Sequence, residues 1–408
     1  MRCVLISFLS FIQVFSFAQI PTNQTIFKWM NNPRGVKELD SLINTSYNVA
    51  LNKSDYNRTA INKFNFNPKS ILNYKDSLAT ELSIQRTATH FFNDLAYGNK
   101  PPSLDYRGAK FDMIAFNVPA LIQTYLQSNR LGQLVQILNQ SNIEVKTILD
   151  SLNSLQKSIV KNQAKINLLI KAANDYRWLN AVRSRQGIVL VNIPSAQLKV
   201  YEGPKTTLQM KIILGKVSSP TKTLSTYIQQ VTINPYWTVP KSIIVNEMIP
   251  KIQKDIQYLS KNRLSVLNEN YKVLDPRKIN WDTIDRINFP YVIRQATGCE
   301  NALGILKLEF ENPFSMYLHD TPEKQLFKNK YRFLSHGCMR MEDPIAMGRF
   351  LLSNNLKAID TLDLTKCDLN LQPNFIPVTI KTPLIVWYSQ VDFDSNNKLM
   401  FYKNVYNR

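Results

Sequence analysis

The chain has 408 residues, length for two or three domains at roughly 150 residues each. Forty-four per cent are hydrophobic, ordinary for globular protein, and the formal charge is +20. That charge fits a Lys-rich solvated surface or an anionic partner. The sequence contains no nucleic-acid motif and no Lys/Arg block dense enough for a DNA-binding arm, which excludes nucleic acid as a partner.

Residues 1–18 read as a secretory signal, with Arg2 as the charged start, Val4–Phe17 as the apolar stretch and Ser16-Phe17-Ala18 before the cut. The expected product begins at Gln19 and is exported, soluble or peripheral on a membrane; a retained anchor is the alternative. It keeps Cys299, Cys338 and Cys367, an odd number that allows at most one disulfide. Cys299 and Cys367 read as buried thiols, with pairing as the alternative.

Residues 19–184 read as an α-helical domain. Leu78, Leu82, Ile84, Ala88, Phe91, Phe92 and Leu95 mark a helix over Tyr74–Leu95, stopped by Gly98-Asn99-Lys100-Pro101-Pro102. His90 within it reads as structural. Residues 112–139 give short helices broken near Asn129–Gly132. Residues 142–176 read as one long helix, with Ile148, Leu152, Leu155, Ile159, Asn162, Ile166, Leu169 and Ala173 at heptad-like spacing. Packing on its own domain is preferred over a dimer coiled coil, so the chain reads as a monomer.

The pattern changes at Arg185, and residues 185–408 read as a second domain. Ile188–Ile193, Gln197–Tyr201, Leu208–Leu214 and Tyr227–Ile233 are short strands separated by turns, which predicts an antiparallel sheet or sandwich. About 240–290 the strand pattern lapses into a helical insertion with scattered aromatics, the signature of a binding lid. Strands resume at Ile305–Phe310. In Ser315–His319, alternation puts Met316 and Leu318 on the core face and Tyr317 and His319 on the other. Residues 383–408 read as a hairpin of Pro383–Tyr388 and Lys398–Tyr402. The fold class is α+β multidomain.

The chain has three histidines, and two of them, His319 and His336, fall close before Cys338. A thiol becomes a nucleophile when an imidazole takes its proton. Gly337 permits a sharp turn, Asp343-Pro344 starts a helix, and backbone N–H groups at Gly337 and Cys338 are placed to hold an oxyanion. The competing chemistry is a zinc site of His319, His336 and Cys338, with Asp320 or water as fourth ligand. A non-catalytic wall protein is a further alternative.

Ser335-His336-Gly337-Cys338-Met339-Arg340, with His319 upstream, resembles the active-site signature of the L,D-transpeptidases, whose catalytic module is the YkuD-type domain. The flanking stretches Val191–Pro194, Asn234–Pro240 and Asn301–Gly304 resemble the large, scaffold-bearing, YcbB-like branch, which implies a helical scaffold domain and a capping subdomain. The resemblance implies peptidoglycan stem peptides as partners, a donor tetrapeptide and an acceptor amine, in the periplasm or cell envelope of a bacterium. It implies Cys338 as nucleophile and His319 as base through a thiolate–imidazolium pair, with His336 secondary and a thioester intermediate. The product is a 3→3 cross-link; water as acceptor makes an L,D-carboxypeptidase, and a protein lysine tethers a protein to the wall. It also implies acylation by carbapenems and requires no cofactor or metal. Arg340, Ser335, Tyr317, Tyr236 and Trp237 are the candidate substrate contacts, Arg340 alternatively orienting the loop through Glu342 or Asp320.

Overall fold

The structure, a computed structural model, describes residues 27–408 except 67–72, 112, 114–115, 141, 160–161, 184–186, 285–288, 361 and 363–370. The expected signal and Cys367 lie outside the described residues. The chain divides into two compact units. One comprises Met1–Ser46, Asn52–Phe92 and Val118–Val135; the other comprises Tyr47–Leu51, Asn93–Asn117 and Gln136–Arg408. Among the described residues, no helix is long and apolar enough to cross a membrane.

The first unit is helical. The helix Tyr74–Tyr97 buries Ile84, Ala88, Phe91, Phe92 and Leu95 along the stripe that their spacing predicts. Gly98 ends it at φ +79, a conformation that suits glycine, with its N–H donating to the Asp94 carbonyl. Glu81 is buried on this helix and accepts N–H groups from Trp29 and Met30, both at 2.9 Å. His90 is exposed and meets the Tyr56 ring edge-on.

In the second unit, the single long helix expected over 142–176 is two helices, Ile143–Lys157 and Gln163–Arg183. Ser158 leaves helical geometry at φ −66, ψ 143. Asn162, read as a seam position, instead caps the next helix by accepting the Lys165 N–H at 3.0 Å. Ile159 is fully exposed in the break. The first helix buries the stripe Val145, Ile148, Leu149 and Leu152, whereas the second is buried all round from Ala172 to Leu179.

These helices pack on a ten-stranded sheet. Its strands run, in order, Leu224–Ile233, Asn374–Trp387, Ile188–Asn192, Gln197–Glu202, Lys205–Gly215, Met339–Met341, Leu318–His319 and Leu306–Phe310. The last of these pairs back onto the first, closing a ring; Tyr106–Arg107 pairs with Leu224–Ile233, and Phe333–Ser335 with Lys205–Gly215. Alternation divides two cores. Val189, Val191, Leu198 and Val200 point into the ring with Met316, Leu318 and Met341. Ile188, Leu190, Ile385 and Trp387 point out against Leu152, Leu169 and Tyr176 of the helices. Strands buried on both faces read as continuous hydrophobic runs, as Ile188–Ile193 does.

The insertion has its own small core around Ile244, Ile252, Val266, Trp281 and Ile293. It contains a three-stranded sheet in which Val292–Gln295 lies between Trp237–Thr238 and Leu264–Leu267. The C-terminal hairpin differs from the expectation. Residues Pro383–Trp387 belong to the ring, and it is Val391–Phe393 that pairs with Leu399–Phe401. Cys299 is exposed and disulfide-bonded, which overturns its reading as a buried thiol.

Candidate active site

Cys338 closes a turn that brings two strands into register. The strand Leu318–His319 pairs in parallel with Met339–Met341, setting Leu318 opposite Met339 and His319 opposite Arg340. The Met339 N–H donates to the Tyr317 carbonyl at 3.1 Å, and so zips the residue after the thiol onto the residue before Leu318. Ser335 Oγ donates to the Cys338 carbonyl at 2.5 Å and accepts the Gly337 N–H at 3.2 Å. Thr221 Oγ1 donates to the Gly337 carbonyl at 2.9 Å. Gly337 sits at φ +114, which glycine alone adopts without strain. Gly215 lets this turn approach: a Cβ there would stand 3.0 Å from the Gly337 Cα and 2.1 Å from the Ser219 carbonyl oxygen.

Tyr317, His319, His336, Cys338 and Arg340 line one cavity of about 580 Å³, together with Trp237, Glu247, Met248 and Lys251 of the insertion. Pairing of the ring strands therefore brings the expected base and nucleophile to one space under the lid. Tyr236 is not among its lining residues: its ring holds the Arg294 guanidinium at 4.3 Å. Ser335 is buried with its hydroxyl spent on the turn, so it shapes the loop. Arg340 pairs with Glu323, and neither of the expected partners holds it. Asp320 instead meets Lys324 at 2.6 Å, and Glu342 meets Lys211 at 3.3 Å. The Gly337 N–H, an expected oxyanion donor, is occupied by Ser335.

His319 Nδ1–H donates to the Asp320 carbonyl at 2.5 Å. A carbonyl only accepts, so this bond fixes the tautomer and leaves the lone pair on Nε2. Burial, followed by the Arg340 charge, lowers the imidazole to about 3. Burial also raises the Cys338 thiol above its ordinary 9.0, offset in part by hydrogen bonds from the Tyr317 backbone and side chain. Tyr317 is itself held well above its ordinary value by burial and by the neighbouring sulfur. Burial therefore works against the charged form of each group, and so against the anticipated thiolate–imidazolium pair.

Among the described residues, no group of three His, Cys, Asp or Glu side chains is placed to hold a metal ion.

Residues 186–360 match the family model of the L,D-transpeptidase catalytic domain, YkuD. The chain carries a YkuD domain. A curated protein of Haemophilus influenzae, whose name assigns it provisionally to the L,D-transpeptidases, is 31% identical over 227 residues. That match covers 56% of this chain and 45% of the relative, so the chain spans less than half of the relative's length. Among solved structures, L,D-transpeptidases from Mycobacterium smegmatis and Enterococcus faecium align at 13% and 10% identity, with TM-scores of 0.24 and 0.23. They cover 49% and 56% of this chain, and 58% and 65% of their own.

The YkuD domain contains His319, Cys338 and the whole insertion, whereas the helices Ile143–Lys157 and Gln163–Arg183 precede it. Sequence reasoning missed Glu247 and Lys216, which face His336 at 2.6 and 3.5 Å. Glu247 is one acidic residue in a helical stretch with no motif around it, and only the folded insertion brings it to the loop.

Proposed function

We propose that the protein is a peptidoglycan L,D-transpeptidase that forms 3→3 cross-links through a thioester on Cys338. The observation that carries this reading is the convergence of Cys338 and a tautomer-fixed His319 on one lidded cavity inside the YkuD domain. As Sγ attacks the donor carbonyl, His319 Nε2 takes the thiol proton. Burial disfavours charge on both groups, and in this reading proton transfer accompanies S–C bond formation. The Tyr317 hydroxyl, hydrogen-bonded to the sulfur, stabilises the charge that develops there. The oxyanion falls to the Cys338 N–H, since Ser335 occupies that of Gly337. His319 passes its proton to the leaving D-amino acid nitrogen, the C–N bond breaks and the thioester remains. A side-chain amine of a second stem then displaces the sulfur. Water in that role makes the protein a carboxypeptidase, and a protein lysine makes it a wall-attachment enzyme.

An exported protein would meet this substrate outside the cytoplasm, as the Arg2–Ala18 segment suggests. The test is mass spectrometry of stem-peptide fragments incubated with the purified chain beginning at Gln19. Dimers joined through two third-position residues support the reading. Shortened monomers alone favour the carboxypeptidase, and unchanged fragments with no acyl-enzyme overturn both.

A further inference from the structure

The cavity contains a second imidazole that acylation does not use. His336 stands in the turn beside Gly337, and its Nε2–H donates to Glu247 Oε1 at 2.6 Å. Lys216 Nζ lies 3.5 Å from the same nitrogen, and Lys251 and Arg340 are the cationic side chains among those lining the cavity. Glu247 comes from the π-helical turn Ile244–Met248 of the insertion. Such turns recur at functional sites because one extra residue re-aims the side chains around it. A carboxylate on one imidazole nitrogen fixes the tautomer, leaves Nδ1 as the acceptor, and stabilises the cation formed when Nδ1 takes a proton. Both side chains are part-exposed, at 37% and 41%, so a proton taken there can pass on to water.

The acceptor half-reaction requires such a group. A free amine arrives as an ammonium, which has no lone pair to attack with. It must lose one proton before attack and a second as the amide forms. His319 is poorly suited to the first loss, since burial and Arg340 penalise its cation.

We propose that His336, positioned by Glu247, is the base that deprotonates the acceptor ammonium; this rests on the acyl-transfer reading above. The ammonium gives one proton to His336 Nδ1 and the amine nitrogen bonds to the acyl carbon. The C–S bond breaks, and the second N–H proton returns through His319 to the sulfur. His336 then releases its proton to solvent. Glu247 is a positioning residue in this scheme. The insertion thereby contributes to the transfer step itself and not only to enclosing the substrate.

The test uses the full chain from Gln19, a synthetic stem tetrapeptide as donor, and a stem peptide with one free side-chain amine as acceptor. Intact mass follows acyl-enzyme formation, and product analysis gives the ratio of amide to hydrolysis product between pH 6 and 9. Glu247→Gln should lower that ratio about tenfold or more near neutrality, beyond any slowing of acylation. The deficit should shrink as pH rises and the acceptor becomes a free amine in solution. Glu247→Asp, which keeps the carboxylate, should recover part of the ratio, and His336→Gln should reproduce the loss. Ratios within twofold of wild type in Glu247→Gln overturn the proposal. So does a parallel fall of acylation and transfer at every pH, which is the mark of a structural role. A wild-type chain that forms no acyl-enzyme overturns the acyl-transfer reading itself and this proposal with it.

Discussion

His319 and Arg340 sit directly opposite each other in adjacent parallel strands, and the guanidinium charge adds to burial in keeping the imidazole neutral down to about pH 3. The acid limb set by this base should therefore lie well below the 6.5 of an ordinary histidine. Arg340→Gln removes one of the two causes and should move that limb upward. The measurement is the rate at which a donor stem tetrapeptide acylates Cys338 between pH 3 and 9, followed by intact mass. A wild-type limb near 6.5 would contradict the assignment.

Cys338 is the one free cysteine among the described residues, and Cys299 is disulfide-bonded. A carbapenem should add once, at Cys338. Intact-mass measurement should show a single adduct, lost in Cys338→Ala. Cys338→Ser should retain the fold and lose turnover, since a hydroxyl is far less acidic than a thiol and the base here is a weak one. Burial raises the thiol, so alkylation should still be climbing above pH 9. An adduct that persists in Cys338→Ala would relocate the nucleophile.

Gly304 supports the base at one remove. It sits at φ +60, and a Cβ there would stand 2.2 Å from Asp320 Oδ2. That oxygen accepts the Ile305 N–H at 2.9 Å, and the carbonyl of the same residue fixes the His319 tautomer. Gly304→Ala should displace Asp320, cost about 1–3 kcal/mol of stability by overpacking and lower kcat/KM by roughly tenfold or more through a misplaced imidazole. Gly203 is the control: it has a similar φ of +60 and nothing within 4 Å of its added Cβ. Gly203→Ala should cost about 1–2 kcal/mol from the backbone alone and leave kcat/KM unchanged. Equal effects at the two glycines would show that Asp320 does not transmit the damage.

The readable parts of the chain were those whose signal is local. The stripe Ile84–Leu95, the strands from Ile188 onward and the alternation around Leu318 each carry a period that one neighbourhood enforces. What escaped depends on partners distant in sequence. Closure of the ring rests on Leu224–Ile233 meeting Leu306–Phe310, and two hydrophobic strands do not announce that pairing. The break at Ser158 was hidden because apolar spacing continued through it. At the site, the residues were legible by type, but their charge states were not. A thiol beside an imidazole suggests an ion pair, and the burial that opposes both charges is encoded in no short motif.

Burial of His319 also makes a stability prediction. Unfolded, the imidazole binds a proton below its ordinary 6.5; folded, it stays neutral until about 3. Between those values the unfolded chain holds more protons, so stability falls as pH drops from 6.5 towards 3. At about 1.4 kcal/mol per unit, the neutral imidazole accounts for up to about 5 kcal/mol of that fall, an upper bound because water penetration relieves part of the penalty. His319→Gln cannot titrate and should lose this share of the acid sensitivity while keeping an amide that can donate to the Asp320 carbonyl. Urea unfolding of both proteins at pH 4 and pH 7 gives the comparison. The difference in stability between wild type and His319→Gln should shift towards the variant at pH 4 by at least about 1 kcal/mol. A difference that stays constant between the two pH values would mean that His319 takes up its proton in the folded state much as it does in the unfolded one.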